Sequence, residues 1–302
     1  MNKAILRTFL IALVLVLPAG SFSAGTVKYM NIMSIYSDDK GAAVRNPEGV
    51  ACDDESRLII ADTANHRLLR YVLKDRTLTS GEEIAAPQLT YPVLVKVNSA
   101  GDIFVLDGKQ RRIVHLDAGG KFVGYLEPSG LPSPSSYVIK SFDIDADDNI
   151  YVSDIFSGRM IVLGPDGAYR AHINFPGDYG FISDLAVDFK GNVLLVDSVR
   201  SRVYSAAKGA QGFSPLTEGM KEQMRFPTNI TTDNRGRIYL TDRNGSRIIV
   251  IGQDGSFLGL ISELGWKEGL LNYPAQLCIN AQGEMFVADT NNSRVQVFQL
   301  IK

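Results

Sequence analysis

Six stretches of the chain align without a gap, and together they decide the fold. They read LIIADTANHRLLRY (58–71), IFVLDGKQRRIVHL (103–116), IYVSDIFSGRMIVL (150–163), VLLVDSVRSRVYSA (193–206), IYLTDRNGSRIIVI (238–251) and MFVADTNNSRVQVF (285–298). Each stretch has an apolar run, an aspartate, four loop residues, an arginine and a second apolar run. A period of about 45 residues that occurs six times indicates a repeat architecture, in which each repeat is one supersecondary unit.

One aspartate and one arginine recur at equivalent places in all six repeats. They are Asp62, Asp107, Asp154, Asp197, Asp242 and Asp289, with Arg67, Arg112, Arg159, Arg202, Arg247 and Arg294. A group that is present six times in symmetric positions does not describe a single active site. We therefore expect a structural role, in which each carboxylate accepts hydrogen bonds from loop amides and from the nearby guanidinium.

Each repeat also carries two turn signals. Nine residues before each repeated aspartate lies another Asp or Asn, and glycine follows three residues later in four repeats, while Ser56 and Asp148 replace it in the other two. Glycine accepts positive φ and Asp bonds its own turn amides, so this pattern predicts a hairpin. A third strand follows each arginine, and a second Gly-bearing turn leads to a fourth. The pattern predicts an all-β fold, a six-bladed β-propeller of four-stranded antiparallel blades.

The two ends of the repeat array complement one another. The sixth repeat runs out after its third strand, whereas YMNIMSIY (29–36) precedes the first repeat as an extra strand. We predict that this N-terminal strand completes the last blade, because that leaves no unpaired edge there. The propeller would span 24–302, with repeats at about 46–90, 91–137, 138–180, 181–225, 226–272, and 273–302 plus 27–37.

Residues 1–23 are predicted to be a signal peptide. Lys3 and Arg7 precede an apolar run from Leu10 to Leu17, and small residues suited to cleavage follow. The run is short for a permanent membrane span, although a retained N-terminal anchor is the alternative. We expect an exported, monomeric protein, periplasmic or extracellular, that does not span the membrane after cleavage.

Composition excludes several classes of protein. The 302 residues include 45% hydrophobic residues, which is ample for a buried core. Lys and Arg total 31 against 33 for Asp and Glu, a net charge of −2 that argues against a nucleic-acid partner. Two cysteines are too few for a disulfide scaffold or a four-cysteine zinc site. We predict no cofactor.

The repeat pattern resembles a known family. Asp-x-x-Gly-x-apolar-aromatic-Val-x-Asp-x-x-Asn-x-Arg-apolar is similar to the NHL repeat, and residues 53–68 and 280–295 match it best. Asn65-His66-Arg67 looks like the trio for which such repeats are named. The resemblance covers about 26–302 and implies a six-bladed propeller. It does not assign a function, because similar repeats occur in ligand binders, protein-interaction platforms, RNA binders and a few enzymes.

Function is expected where the repeats differ, at the mouth of the central channel. The loops that lead into the innermost strands would place six polar side chains around one mouth. These ligand-binding candidates are Glu48, Lys140, Ser183, Asp184, Asn229 and Gln276. Two positions further in, Lys96 and Asp143 are further ligand-binding candidates; they occupy equivalent sites in adjacent blades and are expected to form a salt bridge. The alternative is a polar channel that holds only water.

A catalytic alternative uses the same mouth. Glu48, Asp184 and Asn229 offer oxygen ligands for Ca²⁺ or another divalent cation, in the manner of propeller lactonases. The three histidines are predicted at different depths, so they do not form a shared metal site. No Gly-x-Ser-x-Gly, Walker or His-Glu-x-x-His pattern occurs. We assign no catalytic residue, and a metal-assisted hydrolase or lyase is the rival to a binding protein.

Two further features bear on stability and on partners. Cys52 and Cys278 lie on the predicted innermost strands of the first and sixth blades, one position out of register, so they either meet as a disulfide or diverge as buried thiols. Partner-contact candidates are Trp266, Leu270, Leu271, Tyr179 and Phe181. The alternative is that these side chains fold back and seal blade edges. The leading hypothesis is an exported, non-catalytic platform that binds another exported or surface protein.

Overall fold

Six four-stranded antiparallel sheets form the structure, a computed structural model that describes residues 28–133 and 135–301. The predicted signal peptide, residues 1–23, lies outside the described residues. Strand β1 (Tyr29–Ile35) comes first in the chain. The strands of blade 1 are β2 (Gly49–Cys52), β3 (Arg57–Asp62), β4 (Arg67–Lys74) and β5 (Thr77–Ile84). Those of blade 2 are β6 (Pro92–Val97), β7 (Ile103–Asp107), β8 (Arg112–Leu116) and β9 (Phe122–Tyr125).

The remaining blades follow the same order from the channel outwards. Blade 3 contains β10 (Ile139–Ile144), β11 (Ile150–Asp154), β12 (Arg159–Leu163) and β13 (Tyr169–Asn174). Blade 4 contains β14 (Ile182–Val187), β15 (Val193–Asp197), β16 (Arg202–Ala206) and β17 (Ser214–Pro215). Blade 5 contains β18 (Pro227–Thr232), β19 (Ile238–Asp242), β20 (Arg247–Ile251) and β21 (Phe257–Ile261). Blade 6 contains β22 (Leu277–Ile279), β23 (Glu284–Asp289) and β24 (Arg294–Leu300). Short 3₁₀ helices, Thr63–Asn65 and Thr290–Asn292, follow β3 and β23.

The N-terminal strand closes the ring. β1 pairs antiparallel with β24, from Tyr29 opposite Leu300 to Ile35 opposite Val295, and the sheet order is β1-β24-β23-β22. This pairing confirms the predicted six-bladed fold and the predicted completion of the last blade. None of the helices in the described part of the chain has the length and hydropathy of a membrane span.

Packing between blades explains the apolar runs of the repeats. Each blade lies between two neighbours, so its second strand is covered on both faces, and β7, β11, β15 and β19 are buried at all five positions. Across the closure, Ile60 of blade 1 belongs to the same cluster as Phe286 and Val295 of blade 6. The turns that lack glycine keep the required geometry, since Ser56 and Asp148 both adopt a φ of +60°.

The six repeated aspartates attach each blade to the connection that precedes it. All six are 0% exposed. Each accepts a backbone N–H from the segment just before its own blade's innermost strand, at 2.5–3.1 Å. The donors are Arg45, Thr90, Val138, Gly180, Arg225 and Asn272. The aspartate thereby holds the incoming chain against the end of the second strand.

The expected guanidinium is present at four of these aspartates and absent at two. Nε of Arg67, Arg159, Arg247 and Arg294 donates to the aspartate of its own repeat at 2.7–3.2 Å. Arg112 instead pairs with Glu127 and stacks 3.6 Å from the centre of the Tyr125 ring, and Arg202 has no ion pair within the described residues. The aspartates of these two repeats each accept four backbone N–H groups. Backbone donors therefore replace the guanidinium in blades 2 and 4, which corrects the expectation for Arg112 and Arg202.

A disulfide joins the first and last blades. Cys52 of β2 and Cys278 of β22 are bonded, with their Cα atoms 5.9 Å apart. Of the two alternatives that the sequence leaves open, the structure has the one in which the side chains meet between the blades. The bond joins residues 226 positions apart and links the innermost strands of blades 1 and 6 across the ring closure.

Arginines at the same repeat position should differ in their effect on stability. Arg294→Met should lower the free energy of unfolding by about 3–5 kcal/mol, because it leaves Asp289 as a buried, unpaired carboxylate. Arg202→Met should lower it by less than about 1 kcal/mol, because no ion pair is lost. Urea unfolding of the two variants measures the difference, and equal losses would contradict the structural assignment.

The stability of the contact between blades 1 and 6, which closes the ring, should depend on the disulfide. Replacing both cysteines by serine removes a cross-link across 226 residues, which the chain-entropy relation values at about 5 kcal/mol. Thermal unfolding of the oxidised wild type, the reduced wild type and the double variant provides the test. Reduction should destabilise the wild type and leave the double variant unchanged; a wild type that is insensitive to reduction would show that the bond does not hold the closure.

Candidate binding face at the channel mouth

Loops at equivalent positions of the six repeats all lie on the same face of the propeller, because equivalent strands run in the same direction in every blade. The Asp-to-Arg loops lie beside the connections that lead into the innermost strands, since the repeated aspartates bond to both. We call this side the mouth face; its loops are 63–66, 108–111, 155–158, 198–201, 243–246 and 290–293. The hairpins after the innermost strands, including 53–56, 188–191 and 233–236, form the opposite face.

The six polar residues predicted at the mouth surround one cavity. It has a volume of about 130 Å³ and is lined by Glu48, Lys140, Ser183, Asp184, Asn229 and Gln276 among others. Four of these side chains are buried, whereas Glu48 and Lys140 are half-buried. The structure therefore brings all six together, but it gives the buried four a different role from the one expected.

The buried four hold neighbouring blades together. Asp184 Oδ2 accepts hydrogen bonds from Nδ2 of Asn229 at 2.6 Å and from the backbone N–H of Ile230 at 3.0 Å. Oδ1 of Asn229 in turn accepts the N–H of Leu277 at 3.1 Å. These bonds run from blade 4 to blade 5 and from blade 5 to blade 6. Ser183 Oγ likewise donates to the carbonyl of Pro227 in the next blade.

Gln276 extends this network across the ring closure. Its Oε1 accepts the backbone N–H of Val50 at 3.1 Å and that of Val95 at 3.3 Å, while its Nε2 donates to the carbonyl of Val95 at 3.2 Å. One side chain from blade 6 therefore bonds to the innermost strands of blades 1 and 2. With its polar atoms engaged in this way, Gln276 is a structural residue and not a free ligand-binding group.

An ion pair lies further inside the channel. Lys96 Nζ is 2.7 Å from Asp143 Oδ1, and Asp143 Oδ2 accepts the N–H of Val187 at 2.8 Å. Burial opposes the charged form of Lys96, but the carboxylates of Asp143 and Asp184 outweigh it and raise the pKa of the lysine above its usual value. Burial raises the pKa of Asp184, which Lys96 only partly offsets. Asp184 Oδ1 has no partner within the described residues.

Three of the five side-chain oxygen atoms proposed as cation ligands are already engaged. Glu48 Oε1 lies 3.3 Å from Nη2 of Arg243, Asp184 Oδ2 accepts two hydrogen bonds, and the amide oxygen of Asn229 accepts a backbone N–H. Asp184 Oδ1 and Glu48 Oε2 are left, whereas Ca²⁺ takes six to eight oxygen ligands. No group of three or more His, Cys, Asp or Glu side chains with metal-binding geometry occurs in residues 28–133 and 135–301. These three side chains, as they are arranged, do not supply the ligand set of a Ca²⁺ ion.

A larger cleft opens beside the small cavity on the mouth face. Its volume is about 520 Å³, and it shares Glu48 and Lys140 with that cavity. Its walls include Tyr91, Lys109 and Phe181, and the ammonium groups of Lys109 and Lys140 lie 5.7 and 5.8 Å from the ring centres of Tyr91 and Phe181. The charge of Glu48, with burial, raises the pKa of Tyr91.

Sequence reasoning missed this cleft, although a signal was present. Tyr91, Phe181 and Phe226 immediately precede their innermost strands. Tyr273 occupies the equivalent position of the sixth repeat, so four repeats carry an aromatic residue there. Three of these rings lie near a cation, and the third such pair is Arg243 over Tyr273 at 5.1 Å. Comparing this position with the cations of the neighbouring loops would have indicated the arrangement.

The predicted partner contacts divide into exposed and buried residues. Trp266 is 79% exposed, but Leu271 is fully buried in the cluster between blades 5 and 6, and Leu270 is half-buried. Leu271 therefore follows the alternative that the sequence leaves open, in which the connection folds back, and its N–H donates to the carbonyl of Glu263. The exposed neighbour of Trp266 is Leu264, at 68%.

Exposed apolar side chains are concentrated on the mouth-face segments of blades 3 and 4. We call Ile155, Phe156, Tyr179, Phe181 and Val199 the aromatic patch; all five are exposed, and Phe156 is exposed by 63%. Ile155 and Phe181 line the same cleft. A Cβ atom on Gly180 would lie 2.8 Å from Cβ of Val199, so the glycine lets the two segments touch. Tyr179 and Phe181 are among the partner-contact candidates predicted from the sequence, whereas Ile155, Phe156 and Val199 are not.

The channel ion pair should show strong coupling. Lys96→Met alone should cost about 3 kcal/mol or more of unfolding free energy, because Asp143 is left without its counter-ion. Adding Asp143→Asn should recover part of that loss, since asparagine keeps an acceptor for the N–H of Val187. Urea unfolding of both single variants and the double variant measures the coupling, and strictly additive losses would contradict it. The exposed Lys190→Met serves as a control.

Comparisons with known proteins agree with the fold. The NHL repeat family model matches residues 271–298. The mouse protein "NHL repeat-containing protein 3" (Mus musculus) is 32% identical over 94 residues, which cover 30% of this chain and 25% of that protein. The matched segment thus spans about a quarter of that relative.

Solved structures extend the likeness to the whole propeller. Virginiamycin B lyase from Staphylococcus aureus has a TM-score of 0.60 at 13% identity, covering 91% of this chain and 99% of that one. A gluconolactonase from Xanthomonas campestris has a TM-score of 0.63 at 13% identity, covering 92% and 91%. At these identities the likeness shows the fold alone. The chain is a six-bladed β-propeller that contains an NHL repeat and is similar in sequence to NHL-repeat-containing proteins.

Proposed function

We propose that the chain is an exported binding platform that holds another exported or surface protein on its mouth face, without catalysis of its own. The aromatic patch is the observation that carries this proposal. Five exposed apolar side chains on the mouth-face segments of two adjacent blades leave apolar surface in water, and such patches are typical of protein interaction sites. The export step rests on the sequence pattern of residues 1–23.

The patch is held in place by its surroundings. The backbone N–H groups of Gly180 and Phe181 donate to Asp197 at 2.6 and 3.1 Å. The rings of Tyr179 and Phe175 meet edge to face, with their centres 5.5 Å apart. A surface that is ordered before binding loses little conformational entropy when a partner covers it. These contacts support a preformed docking site.

The catalytic alternative has less support from the same face. Three of the five side-chain oxygen atoms that it requires are bonded to Arg243, to Asn229 or to the edges of the innermost strands. The positive charge of Arg243 next to Glu48 also disfavours a cation there. The lyase and the gluconolactonase are similar to this chain at 13% identity, which carries no statement about activity.

Partner capture by variants tests the proposal. The tagged full-length chain is expressed in its native host, crosslinked briefly and purified as wild type, Phe156→Ser and Phe189→Ser. Phe189 is a matched control, because it is 56% exposed in a turn of the opposite face. We expect a stoichiometric exported partner with wild type and Phe189→Ser, and at least about a tenfold loss with Phe156→Ser, as for a contact residue worth about 1.4 kcal/mol.

A further variant separates the two exposed apolar sites. If Trp266→Ser is the only variant that loses the partner, the chain is still a binding platform, but its contact surface is the connection 262–272. No exported partner with wild type, or one retained by every variant, would contradict the proposal. Thermal unfolding of each variant checks that the propeller is intact.

A further inference from the structure

The large cleft on the mouth face has a distinct chemical character. We call it the basic cleft and define it by Tyr91, Lys109, Arg111, Lys140, Ile155 and Phe181. At about 520 Å³ it is in the size range of sites that hold several ligand groups at once. Its walls combine cations with aromatic and aliphatic side chains.

The cations of the cleft are not neutralised by the protein. Lys109, Arg111 and Lys140 have no carboxylate within 4.0 Å among the described residues. Two carboxylates border the cleft, and both are engaged: Glu48 pairs with Arg243, and Asp107 is buried and accepts four backbone N–H groups. Three unpaired cations in one concave site attract negative charge.

The arrangement also provides apolar contacts next to the charges. The ammonium groups of Lys109 and Lys140 each lie over an aromatic ring, which favours conformations that leave the cations in the cleft. Ile155 and Phe181 belong both to the basic cleft and to the aromatic patch. A partner that covers the patch would therefore continue directly into the cleft.

We infer that the basic cleft binds an acidic segment of the protein partner, in which Asp or Glu carboxylates stand next to apolar side chains. The carboxylates face Lys109, Arg111 and Lys140, and the apolar side chains lie against Tyr91, Ile155 and Phe181. This inference rests on the proposed function, because it assumes that the ligand is part of a protein. The charge contacts set orientation and association rate, and the apolar contacts supply most of the affinity.

Selection from a random peptide library tests the inference without knowledge of the partner. Phage-displayed 12-residue peptides are selected on the purified full-length chain, and enriched peptides are synthesised and measured by fluorescence anisotropy. We expect enrichment of Asp or Glu next to aromatic or aliphatic residues. Binding should weaken at least tenfold in Lys109→Glu with Lys140→Glu, and it should weaken as salt rises.

A matched control is available on the opposite face. Lys190 lies over the ring of Phe189 at 5.3 Å, in the same kind of pair as Lys140 and Phe181. Lys190→Glu should leave peptide binding within twofold of wild type. Circular dichroism and thermal unfolding check that the double variant is folded.

Several results would overturn the inference. These are enrichment of peptides without acidic residues, the absence of any enriched peptide, or binding that the double variant retains. Polyuridylate, inorganic phosphate and galacturonate are tested as other anions. If one of them binds to wild type but not to the double variant, and acidic peptides do not bind, the cleft is a site for that anion and not for an acidic segment. If the captured partner needs Phe156 but tolerates Lys109→Glu with Lys140→Glu, the platform stands and the acidic segment is refuted. If it needs neither and also tolerates Trp266→Ser, both fail.

Discussion

The channel edge of each blade imposes the constraint on which this structure depends. The innermost strand of a blade has a neighbour on one side only, so its other edge presents backbone N–H and C=O groups to the channel. Unpaired backbone groups in a buried place are costly. Gln276, Asp184, Asn229 and Asp143 supply acceptors for all five of the N–H donors described above, since Gln276 accepts two of them. The polar channel is thus part of what joins the blades.

The repeated aspartates meet a related requirement at the rim. The chain must turn from the outer edge of one blade to the channel of the next, and its amides there have no strand partner. A buried carboxylate with several acceptor positions satisfies two or more of them at once. Blades 2 and 4 show that the carboxylate needs enough donors and not a particular donor, since four backbone N–H groups take the place of the arginine. With the rim fixed in this way, the loops can vary without loss of the fold.

The contrast between what the sequence predicts and what it misses follows from these two constraints. Spacing and turn chemistry repeat six times, so the blades and the N-terminal strand that closes blade 6 are predictable, and the structure confirms both. Spacing also places Asp184 and Gln276 at the mouth, but it does not distinguish a side chain that binds a ligand from one that bonds to a strand edge. That depends on distances between blades. The burial of Leu271 is not decided by spacing for a similar reason, because it depends on how the long connection folds back against the blades. The aromatic patch arises from loops of different repeats and has no signal within one repeat.

A protein partner that covers the mouth face, as proposed, would protect the backbone amides beneath it. Hydrogen–deuterium exchange of the captured complex, compared with the free chain, locates the covered surface without any substitution. We expect slower exchange in the loop 155–158 and the connection 175–181, with no change in the turns 188–191 and 233–236 of the opposite face. Protection of those turns, with exchange unchanged at 155–158 and 175–181, would contradict it.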